Sequence, residues 1–213
     1  MQGALDATAL VGYGAIFTLF FVTLGPLKIV GPFVQLTRDA DETTMRRIAV
    51  RAFVLAVIAV LVGGFVGRAL LENWGVSASA MLLSGGIIFA LVGLSLVLEQ
   101  YQPVHAAPPP LPAAPMAAAM RITFPTVVTP YGIAALIVLL ANSHDGARTA
   151  SILAILIGVM VLNLLAMLYA RQMMGGVTAM VLPVLGAVLA VLQVALAVEM
   201  ILRALYELDV LHG

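Results

Sequence analysis

The sequence predicts an all-α membrane protein with six transmembrane helices, arranged as two inverted three-helix repeats. Of its 213 residues, 63% are hydrophobic and only 9% are charged, whereas ordinary globular domains carry about 25% charged residues. Several apolar runs exceed the 18 or so residues that a spanning helix needs, and proline interrupts the first and fourth of them. The zero net charge and the lack of cysteine give no indication of a nucleic-acid partner, a disulfide or a thiolate site.

Six apolar spans follow one another along the chain. Each is rich in Leu, Val, Ile and Ala with interspersed glycine, which is typical of helices that pack together in lipid. The pairs Gly63–Gly64 and Gly85–Gly86 indicate places where two helices approach closely. The spans lie near residues 8–36, 48–71, 79–98, 122–141, 149–170 and 179–205.

The first span contains two Gly-Pro pairs with a lysine between them, in the sequence FFVTLGPLKIVGPF at residues 20–33. Proline removes a backbone donor and clashes with the preceding turn. A lysine at membrane depth costs about 2.5–3.5 kcal/mol on insertion scales. Irregular backbone at this depth is tolerated where it is enclosed by protein or lines a water-filled cavity. The sequence therefore predicts a broken first helix beside a solute cavity.

A proline-rich segment separates two halves of three spans each. Residues 102–120 hold six of the eleven prolines and are typical of a polyproline-type or disordered linker. We therefore expect one integral membrane domain, with a first repeat at 1–100, a linker at 101–120 and a second repeat at 121–213.

The two halves resemble each other at matched positions. Gly86 and Glu99 each have an identical residue 100 positions later, and Pro26 matches Pro130 in the broken spans. Because each half has an odd number of spans, the two copies must run in opposite directions. This inverted repeat is common in secondary transporters, where broken helices meet near the bilayer midplane.

Polar groups and broken backbone near these prolines form the predicted solute site. After each break a half-helix begins, and its free N–H groups and dipole favour an anionic group. The prolines alternatively serve only to kink helices, Lys28 alternatively snorkels to the headgroups, and Asn163 and Gln193 alternatively bond between helices. The candidate residues are Thr23, Gly25, Pro26, Lys28, Gly31, Thr129, Pro130, Gly132, Asn163 and Gln193.

The distribution of arginine predicts the orientation in the membrane. Loops after spans one, three and five hold six arginines, while the opposite side holds three. Because the cytoplasmic side carries the excess of positive charge, we expect both termini outside the cytoplasm. The six are Arg38, Arg46, Arg47, Arg51, Arg121 and Arg171; the three are Arg68, Arg148 and Arg203.

The chain resembles the MarC family of bacterial inner-membrane proteins. The resemblance rests on the Gly-Pro break, the loop TRDADETTMRRIAVRA, the segment GGIIFALVGLSLV and the closing LGAVLAVLQVALAVEMILRAL. It implies six spans in two inverted halves. The family's Asn-Pro-Ile-Gly is replaced here by Gly25, Pro26, Leu27 and Lys28. Its Gly-Pro-Gly is replaced by a Thr-Pro-Tyr sequence at residues 129–131, followed by glycine.

The resemblance implies a secondary transporter of small solutes, and small neutral amino acids are the expected substrate. The alternatives are a non-transporting structural or regulatory membrane protein and an exporter of other metabolites or cations. No hydrolase or metalloprotease motif occurs in the sequence, so we expect no enzyme and no cofactor. The expected partners are the lipid bilayer, a small solute and Na⁺ or H⁺ as coupling ion, with a homo-oligomer as a further candidate and no nucleic acid.

Overall fold

The computed structural model describes residues 12–99, 114–143, 145–173 and 177–208, which are helical and contain no β-strand. The predicted all-α class is thus confirmed. Both termini and residues 101–113 of the predicted linker lie outside the described residues. The α-helices are α1 (Tyr13–Leu24), α2 (Val30–Leu36), α3 (Glu42–Asn73), α4 (Ala78–Glu99), α5 (Pro115–Ile122), α6 (Pro130–Ala141), α7 (Gly146–Leu168), α8 (Ala170–Met173) and α9 (Val177–Glu207).

Two shorter helical segments accompany the breaks in the first and fourth predicted spans. A 3₁₀ turn at Pro26–Lys28 lies between α1 and α2, and the segment Thr123–Val127 after α5 is kinked at Phe124, whose backbone is extended with φ −115° and ψ 123°. Helix α5, which opens the fourth predicted span, begins at Pro115, earlier than the predicted start at residue 122. Here α5 takes in alanines of the proline-rich stretch, and proline occupies its first turn, where no backbone donor is needed.

The surface of α3 is apolar where a soluble protein would be polar. Val50, Val54, Ile58 and Val62 recur every four residues and are all about half exposed. Ala52, Ala56 and Val60 on the opposite face are fully buried. Apolar stripes of this kind suit contact with lipid. By length and composition, α3 and α7 are long and apolar enough to cross a membrane.

Glycines allow α4 and α9 to pack backbone against backbone. A methyl group on Gly86 would lie 2.7 Å from Ile201 Cγ1 and 3.1 Å from the carbonyl oxygen of Ala197. One on Gly93 would lie 2.6 Å from Val194 Cγ2. The close packing predicted from the glycine pairs is therefore confirmed at this interface.

The remaining helices pack in pairs that join the two halves of the chain. From the first half, α1 packs on α7 and α6, α2 packs on α7 and α5, and α3 packs on α5, α6 and α7. The two half-helices that flank each break therefore both touch the opposite half. This arrangement brings the two breaks together.

Candidate functional site

The first break lies between Leu24 and Pro26, as predicted. Gly25 is extended, with φ −83° and ψ 177°, because the ring of the following proline disfavours the helical region. A side chain on Gly25 would overlap the carbonyl group of Phe21, so the tight exit from α1 suits glycine. The break leaves the last carbonyl groups of α1 without helical donors.

The second break, at Thr129–Pro130, also occurs where it was predicted. Val128 and Thr129 are both extended, with φ −92° and ψ 100° for the first and φ −99° and ψ 146° for the second. Pro130 then occupies the first position of α6. Proline has no backbone N–H, and its fixed φ suits the start of a helix.

One hydroxyl group connects the two breaks. The buried Thr129 side chain donates to the carbonyl oxygen of Thr23 over 3.2 Å. The same hydroxyl oxygen accepts from the Gly132 N–H over 3.2 Å and so caps α6. A single side chain therefore satisfies both the end of α1 and the start of α6.

Asn163 of α7 supplies a second donor to the broken end of α1. Its side-chain amide donates to the carbonyl oxygen of Leu24. The residue is only 1% exposed, and its Oδ1 atom has no hydrogen-bond partner in the described part of the chain. A buried acceptor without a donor is costly, and Oε1 of Gln193 is in the same position within the described ranges.

Lys28 reaches from the first break to the second. Its Nζ atom donates to the Tyr131 hydroxyl over 3.0 Å and lies 4.8 Å from the centre of that ring. The half-buried ammonium therefore gains both a hydrogen bond and a cation–π contact. None of the three ion pairs in the described ranges includes it; these are Arg46–Glu42, Arg68–Glu72 and Arg203–Glu199.

The remaining candidate residues differ in their relation to the breaks. Gly132 packs against Leu24 at the contact between α6 and α1. Gly31 lies in α2, and a side chain there would meet open space. Gln193 is buried between α9 and α4, where its amide donates to the Phe89 carbonyl oxygen over 3.2 Å. Its hydrogen bond thus joins two helices and reaches neither break.

Sequence reasoning did not include Tyr131 among the site residues, although it is the partner of Lys28. Its position directly after Pro130, at the start of the half-helix, was the available indication. Arg171 was counted only for its charge. It donates to the carbonyl oxygens of Thr37 and Ala40 over 2.7 Å each, and so binds α8 to the loop between α2 and α3.

Opposite partial charges meet at the two breaks. The C-terminal end of α1 carries partial negative charge, and the N-terminal end of α6 carries partial positive charge. Asn163 Oδ1 lies beside the first of these ends and the Lys28 ammonium beside the second.

Broken helices, exposed apolar faces and polar groups enclosed between half-helices are features of an integral membrane protein. A family model described as "MarC family integral membrane protein" matches residues 10–208, which is nearly the whole chain. The chain therefore belongs to the MarC family, as its resemblance predicted, and is a multi-pass membrane protein in contact with lipid.

One relative is also named as a membrane protein. The chain is 26% identical over 194 residues to the UPF0056 membrane protein MJ1677 of Methanocaldococcus jannaschii. The match covers 89% of this chain and 93% of that relative. No solved structure matches the chain.

Proposed function

We propose that the protein is a secondary transporter of small solutes, with small neutral amino acids as its substrates, which works by alternating access around the two broken helices. The observation that carries this proposal is the meeting of the two breaks, which Thr129–Thr23 and Lys28–Tyr131 hydrogen bonds join across the two halves. Transporters commonly bind solutes where discontinuous helices meet.

The pattern of helix contacts supports an inverted repeat of six spans. Exchange of the two halves replaces α1, α2, α3 and α4 by α5, α6, α7 and α9, respectively. The contact of α1 with α7 then becomes that of α5 with α3, and α2 with α7 becomes α6 with α3. The contacts α1–α6 and α2–α5 also exchange, while α3–α7 and α4–α9 map onto themselves.

Lys28 bears on how transport is driven. Because its ammonium group lies at the breaks, it can supply the positive charge that a bound sodium ion supplies in many transporters. A fixed cation also disfavours the export of cations, which it would repel. We therefore expect transport to depend only weakly on sodium, with a proton gradient as the alternative driving force. We also propose that the protein transports solutes and does not act as an enzyme.

The hydrogen bonds of Arg171 support the proposed topology. They join α8, after the fifth predicted span, to the loop after the first, so both connections lie on one side of the membrane. We propose that this side is cytoplasmic, that the membrane is a bacterial inner membrane and that both termini lie outside the cytoplasm. Fusions of a reporter to Gly213 test this orientation, since a reporter active only in the cytoplasm contradicts it. That the protein forms a homo-oligomer stays a prediction.

Reconstitution tests the function directly. Purified protein in liposomes is supplied with labelled glycine, alanine, serine and a panel of other amino acids, with and without sodium and proton gradients. We expect saturable uptake of small neutral amino acids that exceeds uptake into protein-free liposomes. A well-folded, reconstituted protein that moves none of these solutes under any gradient contradicts the proposal and favours a structural or regulatory role.

A further inference from the structure

A cavity of about 330 Å³ lies among the end of α3, the start of α4 and the half-helix α6. It is larger than the cavities of about 120 Å³ beside α2 and α5 and of about 50 Å³ among α1, α4, α6 and α9. A cavity of about 150 Å³ with apolar walls already has room for benzene. We call the largest of the three the apolar cavity; its walls include Leu70, Trp74, Ser84, Ile88, Ala134 and Ile137.

Close contacts at two glycines place this cavity between α3 and α4. Helix α6 packs on both of them, and the connection between α3 and α4 is only the four residues 74–77. A side chain on Gly67 of α3 would overlap Ile137 of α6, and one on Gly85 of α4 would lie 3.2 Å from Val138 Cγ2. Helix α6 therefore touches each neighbour closely, while its side chains leave the space between these contacts unfilled.

The lining of the apolar cavity offers little to a polar ligand. None of the described residues that line it is charged. The hydroxyl group of Ser84 donates to the carbonyl oxygen of Ala80 over 2.8 Å, within α4. An amino acid that entered would lose its hydration without gaining partners, so the cavity suits a hydrocarbon guest and is separate in its chemistry from the two breaks.

The exposed apolar stripe of α3 leads into this cavity. The four-residue spacing that reaches Val62 continues at Val66, Leu70 and Trp74, and each of these side chains is about half exposed or more. Leu70 and Trp74 also line the cavity. The cavity is therefore continuous with the surface that contacts lipid, where acyl chains are the guest at hand.

The residues at this end of α3 place the mouth of the cavity near the lipid headgroups. Trp74 is 69% exposed, and tryptophan is enriched where the membrane meets water. The Arg68–Glu72 ion pair lies within the last two turns of the same helix. A hydrocarbon chain in the cavity can therefore remain attached to a headgroup outside it.

We infer that the apolar cavity binds one acyl chain of a membrane phospholipid, whose headgroup stays outside near Trp74. Since lipid tails are as apolar as the lining, the gain comes from packing: atoms that line an empty space lose dispersion contacts, and the chain restores them. The chain lies against the half-helix that follows the second break, so it also supports α6 between α3 and α4. This role is independent of the proposed transport function.

Fluorescence quenching tests the inference, because Trp74 is the single tryptophan of the chain and lines the cavity. The delipidated full-length protein, in a non-ionic detergent, is titrated with a phosphatidylcholine whose acyl chains carry bromine, which quenches tryptophan on contact. We expect quenching that saturates when each protein has bound one lipid, although detergent is in large excess. Random mixing of the lipid into the micelle gives no saturation at this ratio.

Two serines of α4 provide a matched pair of variants. Ser84→Phe places a ring in the cavity and should remove the saturable quenching, and Ser84→Leu should weaken it with a smaller side chain. Ser95→Phe places the same ring at an exposed position on the same helix, away from the cavity lining, and should leave the quenching unchanged. Thermal unfolding confirms that each variant is folded, and Ser84→Leu decides the result if Ser84→Phe does not fold.

Several outcomes overturn the inference. One is quenching of the wild type that never saturates, and another is an equal effect of the substitutions at Ser84 and Ser95. A free fatty acid with the same brominated chain should quench only at higher concentration; quenching at a lower one assigns the cavity to fatty acids. If no brominated lipid quenches Trp74 and the protein is a dimer in light scattering, a second copy covers the cavity. None of these measurements uses flux, so failure here leaves the transport proposal untouched.

Discussion

Replacement of Lys28 by methionine removes the ammonium group but keeps most of the aliphatic side chain. The structure gives the ammonium one hydrogen bond to Tyr131 and one contact with its ring. If the charge binds the carboxylate of the solute, Lys28→Met should greatly weaken transport while the protein still folds. A lysine that only snorkels should lose anchoring and leave selectivity unchanged.

The expected magnitudes follow from these contacts. A hydrogen bond to a charged group contributes about 1.5–3 kcal/mol, and a cation–π contact about 0.5–2 kcal/mol. Their loss is offset by relief of the insertion cost of about 2.5–3.5 kcal/mol, so the free energy of unfolding should change by no more than about 2.5 kcal/mol. Loss of a charged contact to the carboxylate lowers kcat/KM for transport by about 10- to 100-fold, since about 1.4 kcal/mol corresponds to a factor of ten.

The assay combines flux in liposomes with thermal unfolding in detergent. Lys28→Arg should restore little flux, because the planar guanidinium differs from the compact ammonium in shape and donor geometry. Tyr131→Phe keeps the ring but removes the hydroxyl, so it should destabilise the wild-type protein more than it destabilises Lys28→Met. The difference between these two effects gives the coupling between the two side chains.

Transport by Lys28→Met with unchanged rate, selectivity and sodium dependence would exclude a role of the Lys28 charge in solute binding. Flux through Lys28→Arg that equals that of wild type would exclude it as well, because a snorkelling cation tolerates that exchange. A fully unfolded Lys28→Met protein would contradict the near cancellation of the energetic terms.

Three further sets of variants test the packing, the connection of the breaks and the cap of α3. Gly86→Ala should lower Tm because overpacking typically costs about 1–3 kcal/mol, whereas Gly158→Ala, which meets open space, should raise it through better helix propensity. Thr129→Ala should lower the free energy of unfolding by about 2 kcal/mol, because it removes the cap of α6 and the hydrogen bond to the Thr23 carbonyl. Thr129→Ser should retain both. Hydrogen bonding with Thr44 lowers the pKa of Asp41 from its ordinary 3.8. Protection from hydrogen exchange in the first turn of α3, corrected for the intrinsic exchange rate at each pH, should therefore fall as the pH drops through the lowered pKa, but not in Asp41→Asn.

The positions of the breaks could be predicted because proline acts locally. Pro26 and Pro130 remove a backbone donor and constrain the preceding residue wherever the chain places them. The early start of α5 at Pro115 was missed because the prolines of the linker outweighed its alanines. Alanine is the strongest helix former, and proline in a first turn does not oppose it.

The partners at the site could not be predicted, because they depend on how the halves pack. Nothing in the sequence around Asn163 indicates that its amide reaches the carbonyl of Leu24, 139 residues away. The same holds for Lys28 and Tyr131, 103 residues apart. For Gln193 the interhelical role could be anticipated from a polar residue within an apolar span, but its partner on α4 could not.

The length of the uncharged stretch within α3 also limits the membranes that suit this protein. Between Arg51 and Arg68 the helix has no charged side chain, and at 1.5 Å per residue this stretch is about 24 Å long. A typical hydrocarbon core is about 30 Å thick, so either the two arginines extend toward the headgroups or the bilayer thins around α3. Each ångström of such mismatch costs a fraction of a kcal/mol, and bilayers of shorter acyl chains should therefore stabilise the protein relative to thicker ones.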